Sequence, residues 1–278
     1  MAPFTPFDFG ITWKMATWVE DPDWTPPANG ARVASTVDAS GNTYPPAQAT
    51  TARQPGYLNA DAHLGGKPSI RHGNNTALVT PTWTAIAQPV SFVFIGYMST
   101  PWWSTNESGA VAMDSTNIVG MPMYASTAAA AAGKMYFGSN TQVTGSRDMR
   151  PGVWVGIGGA SGSLSRNGTT NLSGNLGTTT LPGVSIGHLN NIAGYPKFAN
   201  NGGWGFVGVY AGDITAHASW PTFLAAARTH YQLDAARNLV VIDGDSRCRN
   251  YPYGATDPNA AEVWPAVLAN TLGEPALI

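Results

Sequence analysis

From residue 31 to about 215 the chain alternates short apolar runs with clusters of Gly, Asn and Ser. The clearest runs are residues 90–97 (VSFVFIGY), 134–137, 153–157 (VWVGI), 184–186 and 206–210. Bounded by turn residues and shorter than a typical helix, they predict strands of a sandwich core. Ser165-Arg166-Asn167-Gly168-Thr169 places Asn-Gly where a two-residue type I′ turn wants positive φ at both central positions, which predicts a hairpin. Farther on the period changes to that of a helix. Ser219 can cap a helix with Pro221 in its first turn, and Phe223, Leu224, Ala227 and Tyr231 then share one face. A second helix is predicted where Trp264, Val267, Leu268 and Leu272 share a face and Gly273 marks the stop.

Ahead of these strands, residues 1–30 interleave Phe4, Phe7, Phe9, Trp13, Trp18 and Trp24 with Pro3, Pro6, Pro22, Pro26 and Pro27, which forbids a long helix. The segment reads as an extended arm. Its aromatics would pack either on their own domain or on a neighbouring subunit. The alanine run at 128–132 reads as a loop or short helix without a recognition role, and no fixed-period repeat points to a propeller or solenoid.

Composition narrows the partners. Charged residues are 11% of the chain against a usual value of about 25%, so the surface must be built from Ser, Thr, Asn, Gly and Ala. With 32 Gly and 21 Pro the chain favours many short strands joined by turns over helices. A net charge of −2 with no Lys/Arg block removes the electrostatic basis for nucleic-acid binding and for docking on anionic lipid. No stretch reaches about 18 apolar residues, so no membrane insertion is expected. Cys248 is the single cysteine, which excludes an intrachain disulfide, and no Cys/His group has zinc spacing. Neither a metal nor a cofactor is expected.

The start of the chain has neither a basic segment nor an apolar stretch of signal-peptide length, so synthesis and folding in the cytosol are expected. A polar, Trp-rich, Lys-poor surface on such a chain is reconciled by release through host lysis, as for a virus particle. On that reading the Asn-x-Ser/Thr triplets at Asn74, Asn106, Asn167 and Asn171 carry no weight as glycosylation sites.

Three stretches carry a resemblance. The first reads Val37-Asp38-Ala39-Ser40-Gly41-Asn42, then Gln48-Ala49-Thr50 through Pro55-Gly56-Tyr57, then Gly65-Gly66-Lys67-Pro68-Ser69-Ile70-Arg71. The second is Trp154 followed by the Arg166-Asn167-Gly168 turn. The third is residues 205–210 leading into the helix at 223–231. In order and spacing they resemble the laminin-G-like, concanavalin A-like jelly-roll domains common in phage tail proteins and bacterial surface proteins. The resemblance implies a mostly β fold over residues 31–236: two packed antiparallel sheets, with one face able to take a glycan or protein ligand.

Residues 237–278 resemble the first block of SGNH, or GDSL-type, hydrolases: an apolar strand, Gly244-Asp245-Ser246, a polar loop, and the helix around Trp264. The resemblance implies Ser246 as nucleophile toward an ester or acetyl carbonyl, with its own backbone N–H helping to hold the oxyanion. A working member also needs a second-block Gly, an Asn, and a late Asp-x-x-His, and none follows Ser246. All five histidines, His63, His72, His188, His217 and His230, precede it. A serine without its base loses several orders of magnitude in rate, so this short α/β segment is expected to be inert unless a longer chain or a partner completes it.

Other chemistry is thinner. Glycoside hydrolysis normally takes two carboxyl groups, and only Asp114 and Glu107 suggest a pair. Asp61 and Asp213 are near enough in sequence to orient histidines. Trp102 and Trp103, Trp83, and Trp204 beside Asn200-Asn201-Gly202-Gly203 could stack on sugar rings, the alternative being core packing. Adjacent strand residues point to opposite faces, which makes the Trp102–Trp103 pair the best candidate. Together these readings predict a phage minor tail or receptor-binding protein in the virion. Its expected partners are other tail subunits, further copies of itself as a homo-oligomer, and host cell-envelope glycans. The alternative is an SGNH-type esterase or deacetylase of those glycans.

Overall fold

The computed structural model describes residues 4–73, 76–97, 150–178, 180–187 and 202–234, and the backbone of four strands between 110 and 146. The chain divides into two compact units, residues 1–235 and 236–278. All described residues belong to the first, so the predicted hydrolase-like segment with its second helix lies outside them, as does the alanine run.

In chain order the strands begin with β1 (Met15–Trp18), β2 (Gly56–Asp61), β3 (Lys67–Arg71), β4 (Leu78–Val79) and β5 (Ser91–Tyr97). There follow β6 (Ala110–Ser115), β7 (Met123–Ser126), β8 (Lys134–Gly138) and β9 (Gln142–Ser146). The series ends with β10 (Gly152–Ile157), β11 (Gly162–Arg166), β12 (Thr169–Gly174), β13 (Val184–Ile186) and β14 (Gly203–Tyr210), before helix α1 (Trp220–His230). One sheet runs β12-β11-β10-β5-β14-β3-β2 and the other β4-β13-β6-β7-β8-β9. The paired strands are antiparallel throughout both sheets. The fold is the mostly β, two-sheet antiparallel sandwich that the strand pattern predicts.

Two apolar clusters explain why the strands of the first sheet read as continuous hydrophobic runs. Phe92, Phe94, Trp154, Trp204, Val207 and Val209 point inward to meet Leu78, Val184 and Ile186 of the second sheet. On the opposite face Val93, Ile95, Tyr97, Val153, Val155 and Phe206 are covered by α1 and the N-terminal segment. A sheet buried on both faces loses the apolar–polar alternation of a half-exposed one. All seven residues of β5 are buried accordingly.

The N-terminal segment is part of this domain. β1 pairs with β14 over residues 206–209, while β3 takes the adjoining positions Gly203 and Trp204 on the same edge. Phe4, Phe9, Trp13, Phe206 and Trp220 all pack around Phe223, at ring separations of 5.3 to 5.9 Å. The arm therefore packs its aromatics on its own domain, the first of the two alternatives above. β1 escapes sequence reading because four residues among prolines carry too little pattern.

Helix α1 starts after Ser219 with Pro221 in its first turn, and buries Trp220, Phe223 and Ala227. The expected side-chain cap is absent: no hydroxyl bond forms at Ser219, whose backbone N–H donates to His217 Nδ1 at 3.2 Å. The predicted hairpin joins β11 to β12, with Asn167 at φ 51° and Gly168 at φ 84°. Asn tolerates this region, and Gly occupies it without a Cβ penalty. An added Cβ at Gly168 would also press on Leu224 Cδ2 at 3.3 Å. Gly168→Ala is expected to cost about 1 kcal/mol in a urea titration; an unchanged midpoint would contradict the turn assignment.

Candidate functional site

β14 contains a register shift between Trp204 and Phe206. A bulge inserts one residue and changes which face the following side chains meet. Gly205 is that residue, and a Cβ there would stand 2.6 Å from the ring of Tyr231, whose hydroxyl accepts from Trp18 Nε1 at 3.1 Å. Just ahead of the bulge, Trp204 faces the inner core and Gly203 faces outward.

Gly203 is the register partner of Arg71 on β3 and of Tyr97 on β5. Alternation along β3 puts Ser69 and Arg71 on the same face as Gly203, with Ile70 turned into the core. The bare backbone leaves a floor between two long side chains. Asp61 fills it: a Cβ at position 203 would lie 3.1 Å from Asp61 Oδ2, 3.2 Å from the Tyr97 hydroxyl and 3.3 Å from Ser69 Oγ.

Asp61 ends β2 after a register shift between Leu58 and Asp61, and it caps the short 3-10 turn Ala62–Leu64. Its carboxylate is 1% exposed yet fully satisfied. Oδ1 accepts from the backbone N–H of His63 at 2.9 Å and from His63 Nδ1 at 3.2 Å. Oδ2 accepts from Ser69 Oγ at 2.7 Å and from the Tyr97 hydroxyl at 2.9 Å. Burial pushes the Asp61 carboxyl upward, but the hydrogen bonds from His63, Ser69 and Tyr97 outweigh it and bring the pKa down to about 2. Burial, and then the charge of Asp61, push the Tyr97 hydroxyl well above the usual tyrosine range, while the neighbouring Arg71 opposes them. Asp61 is thus an ionised acceptor and Tyr97 a permanent donor.

This fixes His63. A carboxylate only accepts, so the proton on Nδ1 faces Asp61 and Nε2 turns away from it. The imidazole stacks on the Tyr97 ring at 4.2 Å and 25°, with its side chain 38% exposed. Arg71 is exposed beside the same tyrosine. The result is a rigid buried anchor with an imidazole and a guanidinium at its rim. Chemically, such a rim offers hydrogen-bonding groups of the kind that suit hydroxyls or oxyanions. Asp61 itself, ionised and with its acceptor sites taken, is a positioning group with no proton to give.

The tryptophans divide. Trp83 and Trp204, expected as sugar-stacking candidates, are corrected to core residues, 6% and 0% exposed. Trp83 donates to the Leu181 carbonyl at 2.8 Å and packs against Tyr44 at 5.1 Å. Trp204 donates to His72 Nε2 at 3.0 Å. The physical reason is strand phase: residue 204 lies inside β14, past the polar cluster at 200–203, and its alternation position points inward. Trp102, Trp103 and Ser246 lie outside the described residues, as do Glu107 and His188; Asp114 lies on β6.

Of the two aspartates expected to orient histidines, Asp61 does so and Asp213 instead accepts from the backbone and hydroxyl of Thr215. The other described histidines are engaged elsewhere: His72 at Trp204, His217 as acceptor from the Ser219 backbone N–H, and His230 on Glu20 at 2.5 Å. Among the described residues no group of three or more His, Cys, Asp and Glu side chains could hold a metal ion. Ser69, Arg71 and Tyr97 were missed as site residues. The alternation Lys67, Ser69, Arg71 along one strand face was the available signal. The Asp38 block is structural: Asp38 accepts from the backbone of Ala16, Ser40 and Tyr44, and Asn42 donates to the carbonyls of Trp13 and Lys14.

No protein-family model matches the sequence, and no curated protein matches it. Several solved structures are similar. The binding domain of Paraclostridial Mosquitocidal Protein 1 aligns at 9% identity and TM-score 0.49, covering 72% of this chain and 51% of that one. Trypanosoma rangeli sialidase, in complex with 2,3-difluorosialic acid as a covalent intermediate, aligns at 14% identity and TM-score 0.48, covering 77% and 33%. Botulinum neurotoxin type C, whose cell entry depends on interaction with two ganglioside molecules, aligns at 10% and TM-score 0.44, covering 70% and 51%. The chain spans about half the length of the two toxin chains and a third of the sialidase.

Proposed function

We propose that this chain is a carbohydrate-binding β-sandwich, and that it serves as a minor tail or receptor-binding protein attaching a phage virion to host envelope glycans. One observation carries the binding part: the buried Asp61 anchor holds His63 and Tyr97 in a fixed stack beside exposed Arg71. Glycan sites pair an aromatic surface with a few preset polar groups, because ring stacking supplies contact and the polar groups orient the hydroxyls. β5 ends at Tyr97, and Trp102 and Trp103 follow it by five and six residues. The charge-poor, Ser/Thr/Asn-rich composition and the resemblance to phage jelly rolls support the virion setting, including assembly with other tail subunits and with copies of itself.

The test is binding of the full chain to purified host envelope polysaccharide by biolayer interferometry. Trp102→Ala with Trp103→Ala is expected to reduce affinity about tenfold or more, in line with the loss of stacked aromatic contacts. Unchanged affinity in the double variant removes that pair, and no binding by the parent chain removes the reading. A second reading is favoured by Gly244-Asp245-Ser246: an SGNH-type esterase acting on acylated envelope glycans, with the sandwich as its targeting domain. It requires ester hydrolysis by the full-length native protein that Ser246→Ala abolishes.

A further inference from the structure

We infer that the rim of the Asp61 anchor is an anion subsite: Arg71 holds a carboxylate or phosphate oxygen of an acidic glycan while His63 Nε2 bonds a neighbouring sugar hydroxyl. This rests on the glycan-binding reading and adds the class of sugar.

Several charged side chains of the domain are already engaged. Glu20 is bridged by Lys67 at 3.7 Å and by His230. Arg228 is held by Asp234 at 2.7 Å. Arg32 donates to the Gln54 carbonyl at 3.1 Å. Around Gly203 the pattern differs. The four hydrogen bonds that satisfy Asp61 come from the backbone N–H and ring of His63, from Ser69 and from Tyr97, none from Arg71. Among the described residues no carboxylate pairs with Arg71. Its guanidinium hydrogen-bonds the Tyr97 hydroxyl, which places at the rim a planar fork of donors of the kind that recognises a planar or tetrahedral oxyanion.

The position of the two rim groups follows from the sheet. Arg71 and Tyr97 flank Gly203 in register, and His63 lies on the Tyr97 ring. Both therefore meet one tyrosine, His63 at its ring and Arg71 at its hydroxyl. An acidic sugar carries its anion a few bonds from ring hydroxyls, so one residue can meet both. A Cβ at 203 would sit in tight contact with Asp61 Oδ2 at 3.1 Å and the Tyr97 hydroxyl at 3.2 Å, so glycine leaves these groups the room they occupy. Preset polar groups bind without an ordering cost at the moment of contact.

The experiment titrates the full chain with glucuronate, with glycerol 1-phosphate and with glucose, following the ring resonances of His63 by NMR. One or both anions are expected to shift His63 in a saturable manner, with glucose at least about tenfold weaker, the loss expected when a charge-assisted hydrogen bond is missing. Glucuronate against glycerol 1-phosphate separates a carboxylate from a phosphate source. Arg71→Gln is expected to abolish the preference for the anion, with its urea midpoint unchanged because the residue is exposed. Arg32→Gln, altering a guanidinium elsewhere on the surface, should leave the preference intact. Equal response to glucose, no response to either anion, or an unaltered preference in Arg71→Gln overturns the subsite. Polysaccharide binding that depends on Trp102 and Trp103 but ignores Arg71→Gln overturns it while the glycan reading stands. Anion binding at His63 by a chain that takes up no polysaccharide overturns the glycan reading instead.

Discussion

Replacing Asp61 with Ala is expected to lower the free energy of unfolding by about 4 kcal/mol, a severe loss for a single side chain. The mechanism is the stranding of its partners. Ser69 and Tyr97 are 0% and 3% exposed, so their hydroxyls would lose their acceptor in a region closed to water, and the N–H groups of the half-exposed His63 would lose theirs as well. Each buried donor left unpaired costs about 1–3 kcal/mol. Asp61→Asn keeps the shape and one acceptor oxygen but offers an amide N–H where an acceptor is needed, so about 2 kcal/mol is expected for that variant. The two variants also differ from the parent in their response to acid. The folded-state pKa of Asp61 is depressed to about 2 from an ordinary value of 3.8. Its contribution is therefore fully present above pH 3.8 and is lost as the pH falls toward 2. That window is worth about 2 kcal/mol by linkage. Urea titrations between pH 7 and pH 2 read both effects. The parent should lose this increment on acidification and Asp61→Asn should not; parallel pH profiles for the two proteins would refute the assignment.

Asp61 also shows why a site can be hidden from a sequence that discloses its fold. The strand run at 90–97, the Asn167–Gly168 hairpin and the helix at 220–230 were legible because each depends on local spacing or backbone geometry. The anchor depends on contacts between Asp61, Ser69, Tyr97 and Gly203, residues brought together by the order of strands in one sheet. Only the Asp61–His63 spacing of two residues was local, and that much could be read. Arg71 was visible as the last residue of a family-like motif, but its role at a rim follows from pairing with Gly203. The tryptophans mislead for the complementary reason. Composition around residue 200 suggests an exposed loop, whereas strand phase, set by the pairing of Trp204 with Ile70 ahead of the bulge, decides where the indole points.

That phase makes Trp204 the second large effect. Trp204→Ala is expected to destabilise the chain by about 4 kcal/mol, within the range for emptying a buried aromatic site. The indole is fully buried between the sheets, so its loss opens a cavity that strands on both sides resist closing. It also removes the donor at 3.0 Å from His72 Nε2, a ring that is itself 3% exposed and hydrogen-bonded through Nδ1 to the Thr76 carbonyl at 3.2 Å. With Nδ1 donating to that carbonyl, Nε2 is the acceptor, and Trp204 N–H is the matching donor. Trp204→Phe keeps most of the ring volume but lacks the N–H, so a smaller loss of about 2 kcal/mol is expected. Position 204 thereby separates a core role from a ligand platform. If the indole stacked on sugar, Phe would impair binding with little change in the urea midpoint. As a core residue it should do the reverse: a lowered midpoint in proportion to the lost volume and hydrogen bond, with polysaccharide affinity per folded molecule unchanged.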